Sequence, residues 1–163
     1  MIWVFFIKKM KIRKAKIKDL KDIVELSYKS VIYHKKLNPY YDTSKDVKEV
    51  LTKSLKKNIY SSNSCIFIAE ENSKAIGYLL VFKIDRPEMF KIKKAGLIAD
   101  VFIEDGYRRT GIGNKLIKEC FKWLKEGRIN FVEINVEVSN KQAINFWNKE
   151  GFKDVSIERY KKI

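Results

Sequence analysis

Residues 106 to 116 read GYRRTGIGNKL. Arg108, Arg109 and Thr110 precede two glycines, Gly111 and Gly113, that bracket Ile112; an apolar stretch comes before them and a helical pattern after. The chemistry this spacing suits is anion binding. A helix N-terminus exposes unpaired amides and the positive end of its dipole, and glycines let the preceding loop close on a phosphate. Amides from Arg109 through Asn114 can converge on one anion where no Cβ obstructs, with Arg108 and Arg109 adding charge at the rim. Ordinary turn glycines are the competing reading of a bare Gly-x-Gly. A Walker loop requires a Gly-Lys-Ser/Thr ending that is absent, and the dinucleotide fingerprint requires a third glycine where Leu116 stands.

Other reactive side chains are few. Cys65 and Cys120 each sit in an apolar pattern, far apart and with no Cys/His cluster, which predicts buried free thiols. The one histidine, His34, cannot anchor a metal centre by itself, so no metal is expected.

Positioning the glycine turn requires a strand before it and a helix after it, and both are readable. Residues 10 to 17 alternate charged and apolar, as in a strand with one wet face. Leu20, Ile23, Val24 and Val31 behind Asp19 predict a first helix, which Asn38 and Pro39 end. Val47, Val50, Leu51 and Leu55 mark a second helix over about 43–57. CIFIAEE and AIGYLLVFKI, joined at Asn72 and Ser73, predict an antiparallel hairpin. A third strand covers about Ala95 to Ile103. After the turn, Leu116, Ile117, Cys120, Phe121 and Leu124 share one helical face. FVEINVEV alternates strictly. Ser139 with Gln142 has capping-box spacing, Gly151 stands where a left-handed C-cap belongs, and FKDVSIERYKKI closes as strand. The order β α α β β β α β α β is a mixed α/β domain.

A chain of 163 residues is the size of one domain with its own core. Its 45% hydrophobic and 13% aromatic residues exclude a disordered chain, and 34% charged residues suit a soluble one. No stretch approaches the ~20 apolar residues of a membrane span. The opening MIWVFFIKK lacks a basic leader and a small-residue cleavage site, so a cytoplasmic protein is the default. Residues 1–9 read as an extension or an edge strand. A net charge of +15 attracts anions of any kind. The lysines are spread along the whole chain, so charge alone singles out neither nucleic acid nor membrane as a specific partner.

The wider stretch ADVFIEDGYRRTGIGNKLI resembles the pyrophosphate-binding signature, Arg/Gln-x-x-Gly-x-Gly/Ala, of the GNAT superfamily of acetyl-CoA-dependent N-acetyltransferases. INVEVSNKQAINFWNKEGF resembles its later Asn…Ala…aromatic…Gly-Phe segment. Together they cover residues 95–153. The resemblance implies one N-acetyltransferase domain over 1–163, with a mostly antiparallel sheet of six to seven strands, splayed at the cofactor cleft and flanked by about four helices.

It also implies roles. Val101, Phe102 and Ile103, on a bulged strand, line the pantetheine arm of acetyl-CoA. Arg108, Arg109, Thr110, Gly111, Ile112, Gly113 and Asn114 form the pyrophosphate loop. Asn140 and Ala143 form a second wall, and Lys149 reaches an outer phosphate. Direct transfer to an amine of pKa about 10 needs a proton acceptor. Asp100 and Glu137 are the candidates, with Glu133 beside them. Trp147 replaces the tyrosine with which many relatives protonate the leaving thiolate; with Asn135, it leaves open a weak or inactive acyl-CoA-binding module of the same fold. The acceptor is expected against Tyr33, His34 and Trp147, in a region crowded by Tyr28, Tyr40 and Tyr41. A small-molecule amine or a protein N-terminus is the implied acceptor, and a homodimer is compatible with the family.

Overall fold

The computed structural model describes residues 10–163. The alternatives for residues 1–9 lie outside them. The chain runs β1 (Lys11–Lys14), α1 (Leu20–Leu37), α2 (Val47–Tyr60), β2 (Ser64–Glu71), β3 (Lys74–Asp85), β4 (Lys94–Ile103), α3 (Ile112–Glu126), β5 (Val132–Ile134) and α4 (Lys141–Lys149).

α1 buries Ile23, Val24, Leu26, Ser27 and Ser30 along one stripe. It stops at Asn38, whose extended φ of −152° is the conformation favoured before proline. The Asn38 side chain then accepts from Tyr40 N at 3.0 Å and starts a single turn over Pro39–Tyr41. The β2–β3 hairpin closes on Asn72 and Ser73 at φ 50° and 64°, the left-handed pair that matches the twist of its strands. α4 is capped by Asn140, whose side chain accepts from Ala143 N at 3.1 Å, one residue later than the Ser139/Gln142 spacing predicts. Gly151, at φ 86°, ends it as expected.

The sheet order is β1-β2-β3-β4-β5; β1 to β4 are antiparallel neighbours, and β5 runs parallel to β4. The mixed, mostly antiparallel class is as expected, but the sheet has five strands among the described residues where six to seven were expected. Residues 152–163 alternate like a strand yet form none: Phe152 packs on Trp147, but beyond it Val155 is 95% and Ile157 67% exposed. β5 is also shorter than FVEINVEV predicts, since its partner turns away after three residues.

Helices cover both faces. One core holds Leu79, Val81 and Ile98 of the sheet under Leu116, Ile117, Cys120 and Leu124 of α3, with Trp147 of α4. The other holds Ile66, Ile68, Tyr78, Leu80 and Phe102 under α1 and α2. Each such large apolar side chain contributes about 1.5–3 kcal/mol on burial. Both cysteines are free and buried as predicted; burial pushes Cys65 up to about 11 and Cys120 to about 12, so both remain unreactive thiols.

Candidate active site

The site begins with a change of face. Opposite β3, the register slips between Leu80 and Val81, which face Asp100 and Ile98, and leaves Ala99 as a bulge. Ile98 and Val101 therefore both face α3, while Asp100 and Phe102 face α1. The parallel pairing with β5 ends at the same place: its last pair is Ile98 with Ile134. From Ala99 to Ile103 the β5-side edge of β4 has no strand partner among the described residues, and the two strands part into a cleft. Val101, Phe102 and Ile103 border it.

At the end of β4, the chain passes Arg109 at φ 62° and Gly111 at φ 81° into α3. Gly111 N-caps the helix, and the earliest amide of this turn paired into it is Lys115 N, on Gly111 O at 3.2 Å. A Cβ built on Gly111 meets nothing within 4 Å, so the space in front of the helix end is open. That space and the first-turn amides fit a diphosphate. Gly113 is needed for a different reason than ligand approach: its Cβ would lie 3.0 Å from Phe146 Cζ. The absent side chain lets α4 close on α3, whose Ile112 is buried.

Around this loop, Thr110 Oγ1 donates to Tyr107 O at 2.6 Å, the Asn114 amide donates to Glu150, and Lys149 is exposed at the end of α4. Arg109 is exposed at the rim. Arg108 instead bends back along β4: its Nε donates to Ile103 O at 2.9 Å and its Nη1 pairs with Asp105 at 2.9 Å. The guanidinium lies 5.2 Å from the Phe102 ring centre and 5.9 Å from that of Tyr33, within cation–π reach. Tyr107 turns its hydroxyl to Glu71, at 2.6 Å.

Below the cleft, Asp100 accepts from Ser30 Oγ at 2.8 Å on one oxygen and from the Tyr78 hydroxyl on the other. Tyr78 is bonded in turn to Ser27. Burial, the largest cause, raises the Asp100 carboxyl above the usual range against these two bonds, and it drives the Tyr78 phenol well up. Each carboxyl oxygen has a hydroxyl partner, and these bonds favour the ionised form against burial. The sequence reading missed Ser27, Ser30 and Tyr78. Two serines three apart on an apolar helix stripe, and a tyrosine inside an apolar strand, are the signal, because buried hydroxyls require partners.

The opposite wall gathers residues distant in sequence. The Tyr33 hydroxyl lies 3.4 Å from Asn140 Oδ1. The His34 ring meets those of Tyr33 and Tyr41 edge-on, with centroids 5.8 Å and 6.0 Å apart. Glu137 accepts from Ser139 N at 2.7 Å, from the Ser139 hydroxyl and from Asn38; the Ser139 hydroxyl is the main cause holding its carboxyl below the usual range. Such a carboxylate carries charge better than it accepts a proton. Glu133 is paired with Arg86 at 3.0 Å. Trp147 is only 6% exposed, edge-on to Phe146 and Phe152 in the α3-side core, so the indole is chiefly a packing residue. The charges of Glu137 and Glu158 both reach Tyr41, whose phenol burial, first, and then these acids raise.

Comparison with known proteins agrees with this geometry. Residues 29–152 match the model of the Acetyltransferase (GNAT) family. An N-alpha-acetyltransferase of Sulfurisphaera tokodaii is 27% identical over 159 residues, covering 94% of this chain and 86% of that protein. Human N-alpha-acetyltransferase 30 is 30% identical over 125 residues, 71% of this chain but 34% of the human protein. Among solved structures, a predicted acetyltransferase from Clostridium acetobutylicum with acetyl-CoA superposes with a TM-score of 0.79 at 22% identity, covering 94% of this chain and 96% of that one. With a cleft between β4 and β5, a glycine-capped α3 at its end and a family match across both, the chain belongs to the GNAT acetyltransferases and is an N-acetyltransferase.

Proposed function

We propose that this protein transfers the acetyl group of acetyl-CoA to the α-amino group of a peptide or protein N-terminus. The parting of β4 from β5 after Ile98 and Ile134 carries the reading. It leaves a backbone edge for an amide-rich pantetheine arm, in line with the open amides in front of Gly111 and Ile112 for the diphosphate. N–H groups on that edge also suit the charge that develops on a thioester oxygen during acyl transfer. Acetyl-CoA serves as a co-substrate; the chain supplies the cradle, with Arg109 and Lys149 as the exposed cations closest in sequence to the nest and to the end of α4.

The acceptor side favours one amine on an extended chain. Glu137 and Glu158 near Tyr41 supply negative charge for an ammonium group, and Tyr33, Tyr41 and Tyr160 supply ring faces and edges beside it. Relatives carrying the name N-alpha-acetyltransferase support the same acceptor class. Among the described residues no helix is long and apolar enough to cross a membrane, and no group of His, Cys, Asp and Glu is arranged to hold a metal ion.

The test is free-thiol release from acetyl-CoA with short peptides bearing a free α-amine, against the same peptides blocked at that amine and carrying free lysines. Release that requires the α-amine is expected, with calorimetric binding of coenzyme A. Equal release from blocked peptides would remove the acceptor assignment, and no heat with coenzyme A would remove the donor.

A further inference from the structure

The buried carboxylate of Asp100 raises a question of charge balance. Its bonded partners, Ser30 and Tyr78, are neutral hydroxyls, and no Lys or Arg pairs with it among the described residues. A buried ion without a counter-charge is costly. The basic group close enough to act on it is His34, one turn beyond Ser30 on α1. His34 Nδ1 lies 2.9 Å from the Ser30 carbonyl, a group that only accepts, so in the neutral ring the proton sits on Nδ1 and the lone pair on Nε2. One residue, Ser30, thus bonds the carboxylate through its hydroxyl and fixes the imidazole tautomer through its carbonyl. The ring is half-buried, packed between Tyr33, which reaches Asn140, and Tyr41, which feels Glu137. It therefore stands between the floor of the cleft and its acceptor rim.

We infer that His34 is the general base of the acetyl transfer, taking the acceptor's proton on Nε2, and that Asp100 is the positioning residue whose fixed charge balances the imidazolium. This rests on the acetyl-transfer reading above. As the amine nitrogen bonds to the acetyl carbon, the C–S bond breaks and its electron pair leaves on sulfur. One amine proton moves to Nε2, and the imidazolium then returns it to the thiolate or to water, so that free thiol and amide are the products. With Trp147 unable to donate a proton as a tyrosine does, the same imidazolium closes the proton balance. The charged and titratable groups around the ring are Asp100 from β4, Tyr41 from the α1–α2 connection, Glu137 and Glu158 beyond it, Arg108 across Tyr33, and Lys35 on its own helix.

The experiment is the pH dependence of kcat/KM for the full chain and for His34→Gln, with calorimetry of coenzyme A on both. On the acid limb the wild type should lose activity with a limiting slope of two, one proton for the base and one for the α-ammonium. His34→Gln should keep a slope of one, lose about 100-fold in kcat at pH 7 and bind coenzyme A within twofold of wild type. Added imidazole should restore part of the rate. A His34→Gln rate within threefold of wild type, or an unchanged slope of two, overturns the inference. Wild type that acetylates small amines but no α-amino peptide overturns the acceptor class alone, because the same ratio and slopes are then read on those amines.

Discussion

The ring of Tyr160 stacks on that of Tyr40, with centroids 4.4 Å apart and planes 25° from parallel, and its hydroxyl donates to Asn38 Oδ1 at 3.1 Å. A C-terminal segment without secondary structure is thereby held against the α1–α2 connection, beside the rim formed by Tyr41 and Glu137. Stacked pairs contribute about 0.5–1.5 kcal/mol. Tyr160→Ala should therefore raise KM for the acceptor by about fivefold and leave coenzyme A affinity unchanged, since the nest lies at the start of α3. Initial rates against peptide concentration, with calorimetry alongside, check both halves.

The two glycines of the turn should fail in different ways. Gly113→Ala drives a methyl into Phe146 and should destabilise the fold by about 1–3 kcal/mol; Phe146→Leu in the same chain should recover most of it. Gly111 has open space but a φ of 81°, so Gly111→Ala should cost only about 1 kcal/mol. Gly111→Glu, charged and large in front of the amides, should abolish coenzyme A binding in a folded protein. Urea unfolding and calorimetry on the four variants separate packing from binding.

Acid sensitivity should come from Arg13. Its guanidinium bonds Asp19 at 2.7 Å and 2.9 Å and also grips Glu70, tying β1 to the turn before α1 and to β2. Asp19 titrates below its usual range mainly through Arg13, and Glu70 through Lys11 first and Arg13 next. Carboxyls lowered in the folded state add stability above their free values, near pH 4, and lose it as pH falls through the lowered ones. Stability should hold above about pH 5 and decline below. Arg13→Met should cost about 3 kcal/mol at pH 7 and flatten that decline, as read from urea midpoints across pH.

Asp100 carries the opposite sign. Its folded carboxyl is raised, so its ionised form costs stability above the free value, and the cost disappears as pH falls below that value. Asp100→Asn should raise the unfolding temperature at pH 7, leave it unchanged near pH 3.5, and lower kcat. Scanning calorimetry at the two pH values, with rates at pH 7, gives the comparison.

What could be read from the sequence was local. The hairpin at Asn72 and Ser73, the buried face of α3, the cysteines and the αL glycine at 151 each depend on neighbours a few residues away. The polar floor was not legible: Ser30 and Asp100 are 70 positions apart, and neither alone shows that the other completes it. Tyr33 and Asn140 are separated by 107 positions, and Tyr160 and Asn38 by 122. Arg108 was placed at the phosphate loop by its charge and by the glycine-turn resemblance, and neither shows that its guanidinium lies on the Ile103 carbonyl and beside the Phe102 ring. Residues 152–163 have the alternation of a strand without a neighbour to receive it, and alternation says nothing about partners.

The extra residue at Ala99 gives this protein a point where chain length and chemistry are tightly linked. Were Ala99 taken into the ladder and the bulge flattened, β4 would still pair with β3, yet every side chain after it would exchange sides. Asp100 would be thrust into the oil beneath α3, and Val101 would replace it beside Ser30 and Tyr78. Insertions and deletions in the surface loops can drift freely, but here one residue held out of the ladder decides which half of the molecule receives the acid.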